Sequence, residues 1–210
     1  MALIYQAQLR PSKLELVAAW VPGRPWGGAA AGAELEQVAA YRFDDPAGEV
    51  GTETFVLRAG DTLLHVPLSY RGAPVPELEE HLVGTTEHSV LGRRWFYDAC
   101  ADPVYVAALA NAVLAGAPQA EEYVVVDGGQ ERRDPSARVT GSGSAGDVGP
   151  LGTPAITHTA DATTVRAGDV QLVVRRVLTP GTPVAGAATL TGTWAGQDEP
   201  VLLAAAQEID

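Results

Sequence analysis

The sequence predicts an α+β protein: a curved antiparallel β-sheet wrapped around one buried helix, with additional β-strands at the C-terminal end. Three observations support this fold class. Segments of alternating apolar and polar residues, typical of strands, recur along the chain with short turns between them. One segment alone combines helix boundaries with a lack of charged residues. Hydrophobic residues make up 46% of the 210 residues and charged residues 19%, which is enough apolar material for a buried core.

The first elements in the chain are predicted to form a β-hairpin. Apolar residues alternate with polar ones over residues 3–9, and a similar alternation returns over residues 14–20. Between them, residues 10–13 read Arg-Pro-Ser-Lys, a composition typical of turns. A loop rich in Gly, Ala and Pro follows over residues 22–33. Three further strands are predicted, in an antiparallel meander, at residues 36–43, 51–58 and 62–70.

The one predicted helix covers residues 103–115 and is expected to be buried. Asp102 precedes it as N-cap, Pro103 occupies its first position and Gly116 follows its last residue. The helix contains no charged residue, and apolar side chains cover most of its circumference. Such a helix is expected to fill the concave face of the sheet.

The rest of the chain is predicted to hold a linker and a β-rich C-terminal part. After a strand at residues 121–126, the composition changes to Gly, Ser, Asp, Arg and Pro. The predicted organisation is a domain at residues 1–127, a flexible linker or loop at 128–153 and a β extension at 154–210. The extension is expected to pack on the first sheet, with a separate small unit as the alternative. Its strands are predicted at residues 155–160, 163–166, 170–178, 187–194 and 200–206.

Composition excludes several classes of function. Lys and Arg number 14 against 26 Asp and Glu, and this net charge of −12 repels phosphate backbones and anionic lipids. We therefore expect neither nucleic acid nor a membrane as a partner. Cys100 is the single cysteine, so an internal disulfide and a cysteine-based zinc site are excluded. The first residues do not resemble a signal peptide, and we expect a cytoplasmic protein.

The sequence contains no cofactor-binding or phosphoryl-transfer motif in the structural context that such a motif requires. No cofactor is therefore expected. Residues 141–146 match the dinucleotide pattern G-x-G-x-x-G, but the residues after them cannot begin a helix. The only lysine, Lys13, lies in the predicted first turn, and the only asparagine, Asn111, lies inside the apolar helix, so kinase motifs are absent. No two histidines have the spacing of a metal site; they are His65, His81, His88 and His158.

One stretch, over residues 84–105, carries most of the candidate contact residues. It holds two adjacent arginines that can bind a carboxylate or phosphate, and aromatic rings that can stack on a sugar. It also holds a carboxylic acid next to an imidazole, a combination that can transfer a proton. A tryptophan in the loop at residues 22–33 is a further candidate, because a large ring in an exposed loop has no core to fill. The candidates for contact with a partner or ligand are Trp26, Glu87, His88, Arg93, Arg94, Trp95, Tyr97 and Asp98.

The same stretch also fits a purely structural role. Alternation along residues 93–98 is typical of an aromatic-rich strand that leads into the buried helix. In that interpretation Arg93 and Arg94 pair with neighbouring carboxylates. The nearby acidic run at residues 77–80 is interpreted as a solvated face. The sequence leaves both roles open.

Five segments of the first 120 residues occur together in a fixed order. They are ALIYQAQLRPSKLEL from Ala2, YRFDDP from Tyr41, VPLSYRG from Val66, EHSVLG through WFYD from Glu87, and DPVY from Asp102. Together they resemble the maltokinase N-terminal cap-like family of actinobacteria, and the end of the chain looks like the extension of its stand-alone members. The resemblance implies a curved antiparallel sheet around a helix, similar to a cystatin-like fold. It does not imply kinase activity, because the family's catalytic residues belong to a kinase lobe that no position here matches.

Three functions stay open at this point. The resemblance favours a non-catalytic cap or accessory module that binds a protein partner, such as a sugar kinase or another enzyme of α-glucan or trehalose metabolism. The alternative is a binding protein for a small molecule, an oligosaccharide or aminosugar, through the same aromatic residues. The third is an enzyme that uses Glu87, His88 and Asp98 in general acid–base catalysis, although nothing in the sequence fixes their geometry.

Overall fold

The structure is a computed structural model that describes residues 2–4, 8–126, 129–179 and 187–207. It is an α+β fold, mostly β, in which a curled antiparallel half-barrel sheet is joined by additional C-terminal strands, as predicted. The α-helices are α1 (Lys13–Trp20) and α2 (Pro103–Ala115). The strands are β1 (Ala2–Ile4), β2 (Leu9–Arg10), β3 (Leu35–Tyr41), β4 (Gly51–Ala59), β5 (Thr62–Arg71), β6 (Leu82–His88), β7 (Gly92–Asp98), β8 (Glu122–Val126), β9 (Gly129–Arg133), β10 (Ala137–Gly141), β11 (Ala155–His158), β12 (Ala162–Ala167), β13 (Val170–Arg175), β14 (Val177–Leu178), β15 (Thr189–Trp194) and β16 (Gln197–Gln207).

The first sheet has the strand order β2-β6-β7-β5-β4-β3, and all of its pairs are antiparallel. The predicted meander of β3, β4 and β5 is confirmed, with boundaries shifted by one or two residues. Strand β7 pairs with the second half of β5, and the short β14 pairs with its first half. Because β14 comes from the C-terminal part of the chain, it ties that part to the first sheet.

Helix α1 occupies the place of the predicted returning strand, so the prediction of an opening hairpin is wrong. The Ser12 hydroxyl accepts from the Glu15 N–H at 3.2 Å, and the Glu15 carboxylate accepts from the Ser12 N–H at 2.7 Å. This capping box starts a helix that buries Val17 against the first sheet. Residues 14, 17 and 21 are apolar at helical spacing, a pattern that the strand alternation hid. The rest of the predicted opening strand lies partly outside the described residues.

Helix α2 has the predicted boundaries and is buried as predicted. The Asp102 carboxylate accepts from the Val104 N–H at 3.0 Å, and Gly116 ends the helix with a left-handed φ of 67°. The helix packs between the first sheet and a second sheet, and Tyr105, Leu109 and Val113 are fully buried there. Its position is therefore the centre of the main core.

The second sheet consists of strands from the C-terminal part of the chain together with β10. Its order is β10-β15-β16-β13-β12-β11, again antiparallel throughout. Leu172, Leu190 and Leu203 of this sheet share one core with Tyr41 and Val56 of the first sheet. Most strands of the extension thus form, together with β10, a second sheet that packs against α2. The proposed domain boundaries stay a prediction.

Part of the predicted linker is regular structure, so the prediction of a flexible segment over its whole length is wrong. Strand β9 pairs with β8, which in turn pairs in parallel with β1. Strand β10 pairs with β15 and buries Ala137. The side-chain amide of Gln119 fixes β10 by donating to the Ala137 carbonyl and accepting from the Val139 N–H. Small apolar residues between polar ones gave β10 too weak a pattern to predict.

The glycine-rich segment that follows β10 lies over the C-terminal end of α2. The N–H groups of Gly143 and Ala145 donate to the carbonyls of Val113 and Leu114 at 3.0 and 2.8 Å. The segment therefore satisfies carbonyls that the helix end would leave without a partner. A dinucleotide loop needs the opposite end of a helix, where N–H groups point outward. The geometry of residues 141–146 therefore differs from that of a dinucleotide loop.

Candidate functional site

The exposed part of the predicted contact stretch is the β6–β7 hairpin. Register places Glu87 opposite Arg93 on one side and opposite Arg10 of β2 on the other, so the three side chains lie in one row on the same face. The Arg93 Nε donates to Glu87 Oε1 at 2.6 Å, although both side chains are more than half exposed. We call Arg10, Glu87, Val90, Leu91 and Arg93 the hairpin patch. The row carries one excess positive charge on a protein of net charge −12.

The turn of this hairpin presents apolar side chains to solvent. The exposed fractions of Val90 and Leu91 are 58% and 40%, high values for large apolar residues. The turn is held from inside, because His88 Nδ1 accepts from the N–H groups of both residues, at 3.2 and 3.0 Å. Partial burial and the nearby charges of Arg94 and Lys13 lower the pKa of His88. His88 therefore acts as the anchor of the turn.

Arg94 lies on the opposite face of β7 from Arg93. It is half-buried and lines a cavity of about 430 Å³ together with Arg71 and Tyr70. Gly72 makes room for it, because a Cβ at that position would lie 2.5 Å from a guanidinium nitrogen of Arg94. Among the described residues Arg94 forms no ion pair, so the expected pairing with a carboxylate is observed for Arg93 alone.

Trp95 and Tyr97 lie on the same face of β7 as Arg93 but further from the hairpin turn. Trp95 is half-buried and packs in a small cluster with Leu78 and Tyr97. Tyr97 is fully buried, and its hydroxyl accepts from the Val75 N–H at 2.9 Å. Of these two predicted contact residues, only Trp95 keeps surface that a partner could reach.

Trp26 is buried, so the expectation that it projects from an exposed loop is wrong. Its exposed fraction is 1%. The loop folds back through two short 3₁₀ turns and places the indole against Trp20, with ring centroids 5.6 Å apart. The guanidinium of Arg176 stacks 4.7 Å from the Trp26 ring centroid. Trp26 thus belongs to the hydrophobic core between α1 and the first sheet.

Asp98 is also buried, where it forms an ion pair that the sequence did not reveal. Arg176 Nη2 donates to both carboxylate oxygens of Asp98 at 2.6 Å, and Arg176 Nε donates to the Thr163 hydroxyl at 2.8 Å. Both charged side chains are essentially inaccessible. Burial acts to lower the pKa of Arg176, but the charge of Asp98 outweighs it and raises that pKa. The pair joins β7 of the first sheet to the second sheet.

A second charged network, also absent from the sequence analysis, joins α1 to the first sheet. Glu53 of β4 accepts from Lys13 and from Arg42 Nη2, the latter at 2.6 Å. Arg42 Nη1 also donates to the Tyr70 hydroxyl at 2.8 Å. Burial acts to raise the pKa of Glu53, but the charges of Lys13 and Arg42 lower it overall. No local motif marks such partners, because they are up to 40 residues apart in the chain.

His65 is the one fully buried histidine of the described residues. Its Nδ1 lies 2.8 Å from the Arg175 carbonyl and its Nε2 lies 2.9 Å from the Tyr41 hydroxyl. Since the carbonyl only accepts, Nδ1 carries the hydrogen and Nε2 accepts from Tyr41. Burial lowers the pKa of His65 to about 4. The histidine is therefore neutral in the folded protein near pH 7.

A groove runs along the solvent side of α2, and we call it the helix groove. Its volume is about 960 Å³. Val104, Ala107 and Ala108 of α2 form its floor, the loop at residues 44–46 forms one wall and residues 145–153 form the other. Asn111 ties the second wall to the floor, because its side chain donates to the Ala107 carbonyl and accepts from the Val148 N–H. The groove is predominantly apolar.

The predicted acid–base set is not assembled as an acid–base site. Glu87 is paired with Arg93 and His88 holds the turn, whereas Asp98 is buried with Arg176. In the part of the chain that the structure describes, no group of three or more His, Cys, Asp or Glu side chains has the geometry of a metal site. None of the described helices is long and apolar enough to cross a membrane.

The fold and the hairpin together define a class of protein: an α+β protein with a curled antiparallel sheet, additional C-terminal strands and an exposed arginine-bearing hairpin. Residues 20–102 match the family model of the maltokinase N-terminal cap domain. The resemblance stated from the sequence is confirmed over this part, which is less than half of the chain and contains β3 to β7. No curated protein matches the chain.

Proposed function

We propose that this protein is a non-catalytic accessory module that binds a protein partner through the hairpin patch. The proposed partner is a sugar kinase or another enzyme of α-glucan or trehalose metabolism, and the proposed location is the cytoplasm. The observation that carries the proposal is the match to the maltokinase N-terminal cap domain over residues 20–102, which include the whole hairpin. A cap-type domain fits an accessory role.

The composition of the hairpin patch supports binding to a protein. Interfaces between proteins favour exposed apolar groups at the centre with arginine and aromatic residues beside them. Val90 and Leu91 supply the apolar centre, Arg10 and Arg93 flank it, and the accessible part of Trp95 lies on the same face as Arg93. The Glu87–Arg93 pair holds its arginine in place before any partner arrives.

Affinity capture with the intact protein as bait tests the proposal. We expect a lysate of the source organism to yield a sugar kinase or glucan enzyme that mass spectrometry identifies. The Arg10→Ala, Arg93→Ala variant should retain at least tenfold less of it, since truncation of hot-spot arginines at an interface costs about 2 kcal/mol or more. Arg58→Ala with Arg132→Ala is the matched control, because both arginines are exposed and lie outside the patch.

Two outcomes would contradict the proposal. One is recovery of no enzyme of sugar or glucan metabolism by the unaltered bait. The other is equal retention by the unaltered bait, the hairpin variant and the control variant. Circular dichroism of both variants is the control for unfolding of the bait by the substitutions.

A second candidate function is a small-molecule binding protein for an oligosaccharide or aminosugar. The observation that favours it is the cavity of about 430 Å³ beside Arg94, whose guanidinium has no ion pair among the described residues. Titration calorimetry with malto-oligosaccharides, trehalose and glucosamine tests this function. Heat that disappears in an Arg94→Ala variant would support it, and no heat with any of these sugars would contradict it.

A further inference from the structure

Helix α2 has an unusual solvent side. A helix at a protein surface normally places charged or polar residues on the face away from the core. Here the side that forms the floor of the helix groove consists of Val104, Ala107, Ala108, Asn111 and Ala115, with no charged residue. Asn111 is the only polar one, and both ends of its amide already bond to the backbone. The floor is therefore mostly apolar, and its one polar side chain is already bonded to the backbone at both ends.

The charge around the groove has one sign. Three aspartates, Asp44, Asp45 and Asp147, are among its lining residues, and no Lys, Arg or His is among the described residues that line it. The carboxylate of Asp45 accepts from backbone N–H groups of its own loop. Asp147 is exposed, forms no ion pair with a described residue and lies directly before Val148, which bonds to Asn111. Its charge is thus placed over the C-terminal half of α2.

The C-terminal end of α2 adds to this negative potential. The carbonyl groups at a helix C-terminus carry a partial negative charge, which a basic residue in the last turn usually compensates. The last turn of α2 has no basic residue, and Ala115 at its end lines the groove. The carbonyls of Val113 and Leu114 already accept from the N–H groups of Gly143 and Ala145, so a bound cation near this end would complement the helix dipole and would form no hydrogen bond to those carbonyls.

We propose that the helix groove is a binding site for an organic cation with an apolar body, such as an aryl-alkyl ammonium ion. The apolar body would cover Ala107, Ala108 and Leu151, and the ammonium group would lie near Asp147 and the helix end. A volume of about 960 Å³ lies within the range of small-molecule sites. A neutral sugar fits less well, because an almost entirely apolar floor offers few hydrogen-bonding groups for its many hydroxyls. The site is separate from the hairpin patch and does not depend on the proposed function.

A matched series of three probes tests the charge preference: naphthylethylammonium, naphthylethanol and naphthylpropionate. Binding to the intact protein is followed at low ionic strength by methyl NMR shifts of Ala107, Ala108 and Leu151. We expect the ammonium ion to bind most tightly, the alcohol less tightly and the carboxylate least. Asp147→Asn should weaken ammonium binding about two- to fivefold and leave alcohol binding unchanged, because an exposed charge contributes modestly.

Asp198→Asn is the control for the loss of one negative charge, because Asp198 is exposed and does not line the groove. It should leave all three affinities unchanged. The proposal is overturned if the three probes bind equally, if no probe shifts the groove methyls, or if Asp147→Asn and Asp198→Asn have the same effect. None of these results affects partner binding by the hairpin patch, so the two proposals fail independently.

Discussion

At the scale of single residues, the ion pair between Asp98 and Arg176 joins several parts of the fold. Two charges without access to water are tolerated only when they are paired and hydrogen-bonded. Arg176 meets this need at two of its nitrogens, because Nη2 donates to Asp98 and Nε donates to Thr163, whereas Nη1 has no hydrogen-bond partner among the described residues. Its guanidinium also stacks on Trp26. The pair thus links the first sheet, the second sheet and the loop at residues 22–33 at one point.

Asp98→Asn is expected to destabilise the fold by about 3–5 kcal/mol, because it leaves the charge of Arg176 buried without a counter-ion. Urea denaturation measures the free energy of unfolding. Glu87→Gln is the matched control, since it removes the carboxylate of an exposed pair with Arg93 and should cost no more than about 1 kcal/mol. Similar losses in the two variants would show that the Asp98 pair does not stabilise the fold as described.

His65 makes the stability depend on pH in a defined direction. Its pKa is about 4 when folded and about 6.5 when unfolded, so the unfolded chain binds the extra proton between these values. The contribution of His65 is complete above pH 6.5 and is lost as the pH falls toward 4. Between pH 7 and pH 5 the loss should be about 2 kcal/mol.

Comparison with a His65→Gln variant isolates this contribution, because all carboxylates are common to both proteins. The difference in unfolding free energy between the two should shrink by about 2 kcal/mol from pH 7 to pH 5. A difference that is the same at both pH values would show that His65 is not held neutral by burial.

The residue scale is also where prediction from sequence was weakest. The aromatic and charged residues of the stretch 84–105 were identified, but their exposure was not, and Trp26 and Asp98 turned out to be buried. Arg176 was not predicted at all, because its partner Asp98 is 78 residues away in the chain. Periodicity shows which residues of one helix or strand lie on the same face of it. It does not show which distant part of the chain packs against that face.

At the scale of elements, the glycine-rich segment over the end of α2 shows how a motif can have a purely structural cause. Gly141 lies so close to α2 that a Cβ there would be 1.7 Å from the Ala112 carbonyl oxygen. The backbone of α2 cannot move aside as a flexible side chain can. A glycine at position 141 is therefore required for the contact between β10 and the helix.

Gly141→Ala should therefore destabilise the protein by about 1–3 kcal/mol or more, through forced separation of β10 from α2. Gly146→Ala is a control within the same segment, because nothing lies within 4 Å of its added Cβ. It should be neutral or slightly stabilising. Thermal unfolding distinguishes the two, and equal melting temperatures would contradict the close approach of strand and helix.

Elements with strong boundary signals were predicted well and the others were not. Helix α2 has its N-cap, proline and terminal glycine in the sequence, and its predicted boundaries are confirmed. Helix α1 has a capping box at Ser12 and Glu15, but the alternation over residues 14–20 favours a strand. In a segment of eight residues the positions i and i+4 belong to both a strand face and a helix face, so periodicity separates the two weakly and the cap is the better guide.

At the scale of the whole molecule, the architecture followed from the sequence more readily than the site. Apolar content, repeated strands and one charge-free helix were enough to predict a curled antiparallel sheet with a central helix and C-terminal strands. The exposed apolar turn at Val90 and Leu91 was not predicted as a feature of its own. Tertiary packing decides whether a side chain is exposed. Only the structure shows that these two residues are exposed while aromatic residues close to them in the chain, such as Tyr97, are buried.

The most direct test of the central claim is a binding titration between this protein and the enzyme that its bait recovers, carried out with a Val90→Ser, Leu91→Ser variant. Both side chains are exposed, so the variant should fold normally. We expect at least a tenfold loss of affinity in this variant and none in the Arg58→Ala, Arg132→Ala control. Equal affinity in all three proteins would contradict the claim that the hairpin patch binds the partner.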